Sequence, residues 1–171
     1  MTNAIFYYRI SRWLYCKNVT ILPKLVQGLI FILYNCHISY KASIGKGTFL
    51  LHKGIATLIL DGVVIGENTR IGMNVLITGK GPYKEVPKIG SSVWIGPGVV
   101  ISGPVLIKDK VVIAPNAVVT KSVPEGAIVG GVPAKIIGWV KELDYDILVN
   151  ESWKEGYMDF MTDLKNNKNQ T

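Results

Sequence analysis

His37 and His52 are the only histidines in the chain, and the rest of its chemistry turns on what can place them. A free imidazole titrates near pH 6.5, so at neutral pH most of it is the base form that can take a proton from a hydroxyl. A positioned base of this kind is worth roughly 10²–10⁴-fold in rate. The plainer alternative is a histidine satisfied by a neighbour on a strand. The two cysteines, Cys16 and Cys36, are too few for a disulfide framework in a chain of this length and suit a reducing compartment.

The scaffold that must position these side chains is written in sixes. Counting from Ile59 gives Ile65, Ile71 and Ile77, then after a step of twelve Ile89, Ile95, Ile101, Ile107, Ile113 and Val119. A second row, four residues further on each time, reads Val63, Thr69, Val75, Val93, Val99, Val105, Val111, Ala117 and Val123. Six is neither a helical period nor strand alternation. It fits a prism with three flat faces, one hexad to a face, the leading Ile pointing inward and Gly or Asn taking the tight corners. Three hexads make a coil, and coils stack at about the 4.8 Å strand spacing through parallel pairing. The expected fold is therefore an all-β core of parallel β-helix type.

Two interruptions mark where such a scaffold departs from regularity. Residues 78–88 suspend the pattern and return in register, which predicts a loop thrown out of one coil, and loops on rigid scaffolds carry function. Upstream, Ile38, Ile44 and Leu50 keep the step of six, but Ile59 follows Leu50 by nine, so a three-residue irregularity is expected just beyond His52.

The flanks are of another kind. Residues 1–35 read as one or two helices broken near Pro23, capping the first coil or packing on a neighbouring subunit, with contact to a membrane surface as the alternative. Residues 36–138 form the β-helix domain. In the remainder, 139–171, Lys141 to Leu164 looks helical and Lys165 to Thr171 disordered. Apolar residues make up 49% of the chain and charged ones 18%, yet no apolar run approaches the roughly 18 residues of a bilayer crossing. With no basic segment leading into a long apolar stretch, the expected location is cytoplasmic. The net charge of +7 comes without an Arg-rich, aromatic-interleaved face, which argues against nucleic acid as partner.

From about Asn35 to Gly138 the chain resembles the hexapeptide-repeat acyltransferases, in the serine acetyltransferase branch that also holds sugar and capsular polysaccharide O-acetyltransferases. The resemblance rests on Ile44-Gly45-Lys46-Gly47, on Leu50-Leu51-His52, on the hexads, on Val86-Pro87-Lys88-Ile89-Gly90, and on Gly130-Gly131-Val132-Pro133-Ala134-Lys135. It implies a left-handed winding, acetyl-CoA as co-substrate, no metal, and a homotrimer with sites assembled between two prisms. It makes His52, eight residues after Ile44, the general base. The acidic residue that the family places fifteen positions earlier is here His37, which can hydrogen-bond but cannot supply negative charge. Gly79, matching the family's oxyanion-stabilising amide, can bring main chain close to a thioester carbonyl, where one donor contributes a few kcal/mol. Positions matching the coenzyme contacts are Gly96-Pro97 and Ala114-Pro115, and Lys121 and Lys135 can meet phosphates or simply face solvent.

The acceptor is where the sequence departs most. Serine acetyltransferases hold the amino acid with an aspartate before the catalytic histidine and an Arg-His pair before the Pro-Lys that closes the loop. The matching residues are Leu51, Glu85 and Val86, and a glutamate repels the carboxylate that an arginine clamps. The sequence therefore favours a sugar hydroxyl, on a polysaccharide unit or its precursor, with Tyr83, Lys84 and Glu85 as contacts. Serine is the alternative acceptor, and a non-catalytic scaffold of the same fold is another. A zinc carbonic anhydrase on the same prism needs three histidines, more than this chain holds.

Overall fold

A computed structural model describes residues 3–143. Two helices lead into a parallel β-solenoid of about four coils, the left-handed β-helix that the resemblance implies. The first face stacks His37–Ile38, Leu58–Ile59, Leu76–Thr78, Val100–Ser102 and Val118–Val119 in that order. The second stacks Ser43–Ile44, Val64–Ile65, Lys88–Ile89 and Leu106–Ile107. The third begins with Phe49–Leu50, Arg70–Ile71, Trp94–Ile95 and Val112–Ile113.

Pairing is in phase with the repeat: Ile59 faces Ile77, Ile77 faces Ile101 and Ile101 faces Val119. All ten leading residues from Ile59 to Val119 are at most 3% exposed, and the second row is buried with them. Burial of one aliphatic side chain contributes about 1.5–3 kcal/mol, so these two ladders form the core. Corners take left-handed backbone at Asn68, Asn74 and Asn116, the residue type that tolerates it best after glycine.

Both expected interruptions are present. Thr78 ends one strand and Lys88 begins the next, with the intervening residues off the ladder. After Leu50, a short 3-10 segment, Leu51–Gly54, replaces the corner between the third and first faces.

The two ends compare differently with the sequence reading. The N-terminal segment forms two helices, α1 (Ala4–Cys16) and α2 (Leu22–Tyr34), broken just before Pro23 as expected, with Pro23 in the first turn of α2, where its missing N–H has no partner to lose. At the other end the third face adds Ala127–Gly130, which the chain then pairs antiparallel with Lys135–Trp139, reversing through Gly131 to Ala134. The hexad pattern has ended there, so periodicity carried no sign of this hairpin. The expected C-terminal helix and disordered tail lie outside the described residues, apart from a 3-10 turn at Val140–Glu142.

Helix α1 is tied to the first coil by polar contacts to main chain. The Tyr8 hydroxyl, buried, donates to the Ala42 carbonyl at 2.7 Å and accepts from the Ile44 amide at 3.1 Å. Arg9 donates to the Gly45 carbonyl at 2.9 Å, and Arg12 to Tyr40 and Lys41 carbonyls at 3.2 Å. These donors occupy the open end of the prism, where strand edges otherwise lack partners.

Candidate functional site

His52 stands on the edge between the third and first faces, within Leu51–Gly54. Its backbone is left-handed (φ 49°, ψ 37°), Lys53 follows at φ 65°, and Gly54 at φ 88°. Two consecutive non-glycine residues in this region cost roughly 1–2 kcal/mol each, so the surroundings must enforce them. They do so from below and from the side. Gly54 is buried against Leu50 and Ala4, the Thr57 amide donates to the Gly54 carbonyl at 3.1 Å, and Asn3 Nδ2 donates to the Leu50 carbonyl at 2.7 Å. Asn3 also caps α1, accepting from the Ile5 amide at 3.2 Å. His52 is exposed to solvent. Spacing suggested an irregularity beyond His52; the irregular segment in fact contains it.

His37 lies on the first face at its first strand, half-buried. The Gln27 side-chain amide of α2 reaches its ring, 3.0 Å from Nε2 and 3.4 Å from Nδ1. The carboxylate that feels His37 is Asp61, on the edge between the first and second faces, away from His52's edge. Asp61 also accepts from Ser39 and pairs with Lys41 at 2.8 Å, and these hydrogen bonds hold its carboxyl below the usual range.

The remaining candidates fall on two edges of the same prism. Gly96-Pro97 and Ala114-Pro115 lie on His52's edge, one beneath the other: the Gly96 amide donates to the Ile113 carbonyl at 2.9 Å and the Asn116 amide to Pro97 at 2.9 Å. Gly79 and Lys121 lie on the edge between the first and second faces. The Gly79 carbonyl accepts from the Ser102 hydroxyl at 3.4 Å. A cleft of about 380 Å³ opens below, lined by Lys121, Lys135, Thr120, Pro124 and Ala134 among others. The structure thus brings the two candidate phosphate-binding lysines together, which spacing could not show. It does not bring Gly79 to His52 within one chain. Tyr83, Lys84 and Glu85 project from the loop into solvent, with the Tyr83 amide donating to the Lys80 carbonyl at 2.9 Å.

Sequence reasoning missed Asn3 and Gly54, the residues that hold His52's loop, because both act through main chain and neither carries a chemical signature. The left-handed backbone at His52 was legible only as a nine-residue step.

Comparisons with known proteins bear on this arrangement. Residues 87–121 match the family model described as bacterial transferase hexapeptide (six repeats). A serine acetyltransferase of Mycobacterium tuberculosis is 35% identical over 144 residues, covering 80% of this chain and 60% of that protein. One from Staphylococcus xylosus is 35% identical over 143 residues, 79% of this chain and 63% of the relative. Among solved structures, the serine acetyltransferase of Brucella abortus in complex with coenzyme A superposes with a TM-score of 0.76 at 32% identity, covering 80% of this chain and 55% of that one. The chain spans between 40% and 63% of the length of the curated relatives compared with it.

These relatives overturn the expectation of a sugar hydroxyl as acceptor: they are serine acetyltransferases. The expectation came from mapping Leu51, Glu85 and Val86 one by one onto family anchors. Glu85 sits on an exposed loop whose course is not fixed by the ladder, and Leu51 in a corner of irregular backbone. A missing side chain at such a position reports on that position alone. Over about four-fifths of its length, the chain is similar to serine acetyltransferases and shares the left-handed β-helix fold of the hexapeptide-repeat transferases.

Proposed function

We propose that this chain transfers the acetyl group of acetyl-CoA to the hydroxyl of serine, with His52 as general base. The observation that carries the reading is the presentation of His52 on an enforced left-handed loop at a prism edge, ring outward, with the spacing to Ile44 kept. Serine as acceptor rests on the relatives described above. In the reaction the imidazole takes the hydroxyl proton as the oxygen attacks the thioester carbonyl. The tetrahedral intermediate collapses with cleavage of the C–S bond, and the imidazolium returns its proton to the departing thiolate, giving O-acetylserine and free CoA. An amide at Gly79 stabilises the developing oxyanion.

The site is completed by a second copy of the chain in a homotrimer. His52, Gly96-Pro97 and Ala114-Pro115 line one edge, while Gly79 and the lysine cleft line another, and both edges flank the first face. Its outward row of Leu58, Leu76, Val100 and Val118 is apolar and half-exposed, suited to burial between prisms. A coenzyme lying between neighbours then meets Lys121 and Lys135 of one copy and the His52 edge of the other, with Tyr83, Lys84 and Glu85 beside the acceptor.

The test is thiol release from acetyl-CoA by the purified chain, with and without serine. The reading expects release that depends on serine and falls at least a hundredfold in His52→Ala. Turnover that persists in that variant removes His52 as base, and release that ignores serine removes the acceptor.

A further inference from the structure

Helix α2 carries the wrong residues for a helix packed on a β-prism. Pro23 and Ile30 face inward and are buried. The side that ought to meet water holds Ile21, Leu22, Leu25, Leu29, Ile32 and Leu33, all exposed, with Leu25 at 62% and Ile32 at 79%. On a helical wheel these surround a single charged residue, Lys24, where a surface helix normally shows a polar face. Its partner α1 packs against it, with the Ser11 hydroxyl donating to the Pro23 carbonyl at 2.9 Å and the Tyr7 and Tyr34 rings 6.0 Å apart. Outward from α1 come Phe6, Ile10 and Trp13 at helical spacing. Contiguous apolar surface of this kind marks an interface.

The charge of the same region says what covers it. The first 60 residues contain Arg9, Arg12, Lys17, Lys24, Lys41, Lys46 and Lys53 and no Asp or Glu; the first acid in the chain is Asp61. The whole net charge of +7 therefore resides there, since the twelve other cations are matched by the twelve acids. Arg9 and Arg12 are committed to main-chain carbonyls of the first coil and Lys41 to Asp61. Lys17 and Lys24 border the apolar surface and are exposed. A second copy docked by the same face would set cation against cation with no anion between them.

We infer that the α1–α2 hairpin seats the protein on an anionic lipid bilayer, with the apolar face of α2 in the interface and the lysines among the headgroups. No helix of the described residues is long and apolar enough to cross a membrane, and α2, at 13 residues, is about 20 Å long against a hydrocarbon core of about 30 Å. It lies on the membrane and does not span it, and bound area and headgroup charge together set the affinity. The inference is independent of the acyl-transfer reading.

The test is co-sedimentation of the full chain with vesicles of phosphatidylcholine alone or with one-third phosphatidylglycerol, at low and high salt. The expected result is binding to the phosphatidylglycerol vesicles that weakens as salt rises. The double variant Leu25→Glu, Ile32→Glu should bind at least tenfold more weakly, and Lys17→Ala and Lys24→Ala about fivefold each. All four side chains are exposed, so unchanged thermal melting checks that the variants fold. The inference is overturned by no binding of the wild type at about 1 mM lipid, by equal binding to both vesicles, or by binding that survives the double variant. It is likewise overturned by an assembly that the double variant breaks up without any vesicle binding, which would assign the face to a second copy.

Discussion

Replacing Gly54 by alanine tests whether the loop that presents His52 is held by shape. Gly54 has φ 88°, outside the range that alanine adopts without strain, which costs about 1–2 kcal/mol. A Cβ there would also fall 2.7 Å from Leu50 Cδ1 and 3.4 Å from the Ala4 Cβ. Leu50 is 1% exposed, so its methyl has nowhere to retreat without disturbing the core, and overpacking of this kind adds about 1–3 kcal/mol. The sum, about 2–5 kcal/mol, should appear as a lowered urea midpoint at unchanged slope. The proposed activity should fall further than the stability loss explains, because the loop relaxes by moving the imidazole: kcat drops at least tenfold with KM for acetyl-CoA nearly unchanged. Gly28→Ala supplies the contrast. Nothing lies within 4 Å of a Cβ at Gly28, inside α2, and alanine there should stabilise by about 0.4–1 kcal/mol. If Gly54→Ala matches wild type in midpoint and kcat, the loop is not held by packing and the account of His52 is wrong.

Other expectations follow from buried or paired groups. Tyr8→Phe leaves the Ala42 carbonyl and Ile44 amide without the hydroxyl that now serves both, and chemical denaturation should show a loss of about 1–3 kcal/mol; a neutral effect would mean water replaces it. Burial pushes the Cys36 thiol up to about 12, whereas Cys16 is exposed, so a thiol reagent at pH 8 should label Cys16 alone until the chain is unfolded. Asp61 is held below, and Lys41 above, its ordinary range chiefly by their mutual hydrogen bond. The pair's contribution should thus be present at neutral pH, fade as acid protonates Asp61 below about pH 4, and fade again above about pH 10.5; Asp61→Asn should flatten both limbs, slightly, because both side chains are well exposed. His37→Asp supplies the negative charge that His37 lacks, and the proposed activity should rise by about tenfold; an unchanged or lower rate would show that position 37 does not act on His52.

The solenoid was legible because its period is a direct image of its geometry: one inward Ile for each face, repeated until Val119. The loop after Thr78 was legible for the same reason, as a break that returned in phase. What lay outside the period was not. The hairpin of Ala127–Gly130 with Lys135–Trp139 follows the last hexad, and the packing of α1 on α2 includes the Ser11 hydroxyl on the Pro23 carbonyl, a contact between residues twelve apart. At the site, the irregular corner around His52 could be read from spacing, but the acceptor could not be read. Leu51, Glu85 and Val86 occupy an irregular corner and a loop, where register with relatives is not enforced by the ladder. The grouping of Lys121 and Lys135 needed the reversal after Gly130, which folds the second lysine back beside the first.

As the proposed base, His52 lacks a carboxylate partner at the matching position and needs another means of aiming its ring. In a triad the acid fixes the imidazole's orientation and steadies its cation. Here His37 stands at the matching position and is engaged by Gln27, while Asp61 is engaged by Ser39 and Lys41. The backbone remains. Left-handed φ at His52 and Lys53 sets the direction of the Cα–Cβ bond, Gly54 locks the turn against Leu50 and Ala4, and Asn3 fixes the Leu50 carbonyl from the start of α1. Such a device orients the ring but adds no negative charge, so it recovers the geometric part of the triad's advantage and not the electrostatic part. A chain built this way should reach a given kcat with a stronger dependence on loop rigidity than a base held by a carboxylate, and destabilising the α1 contact to Leu50 should slow the proposed reaction in a way that leaves coenzyme binding untouched.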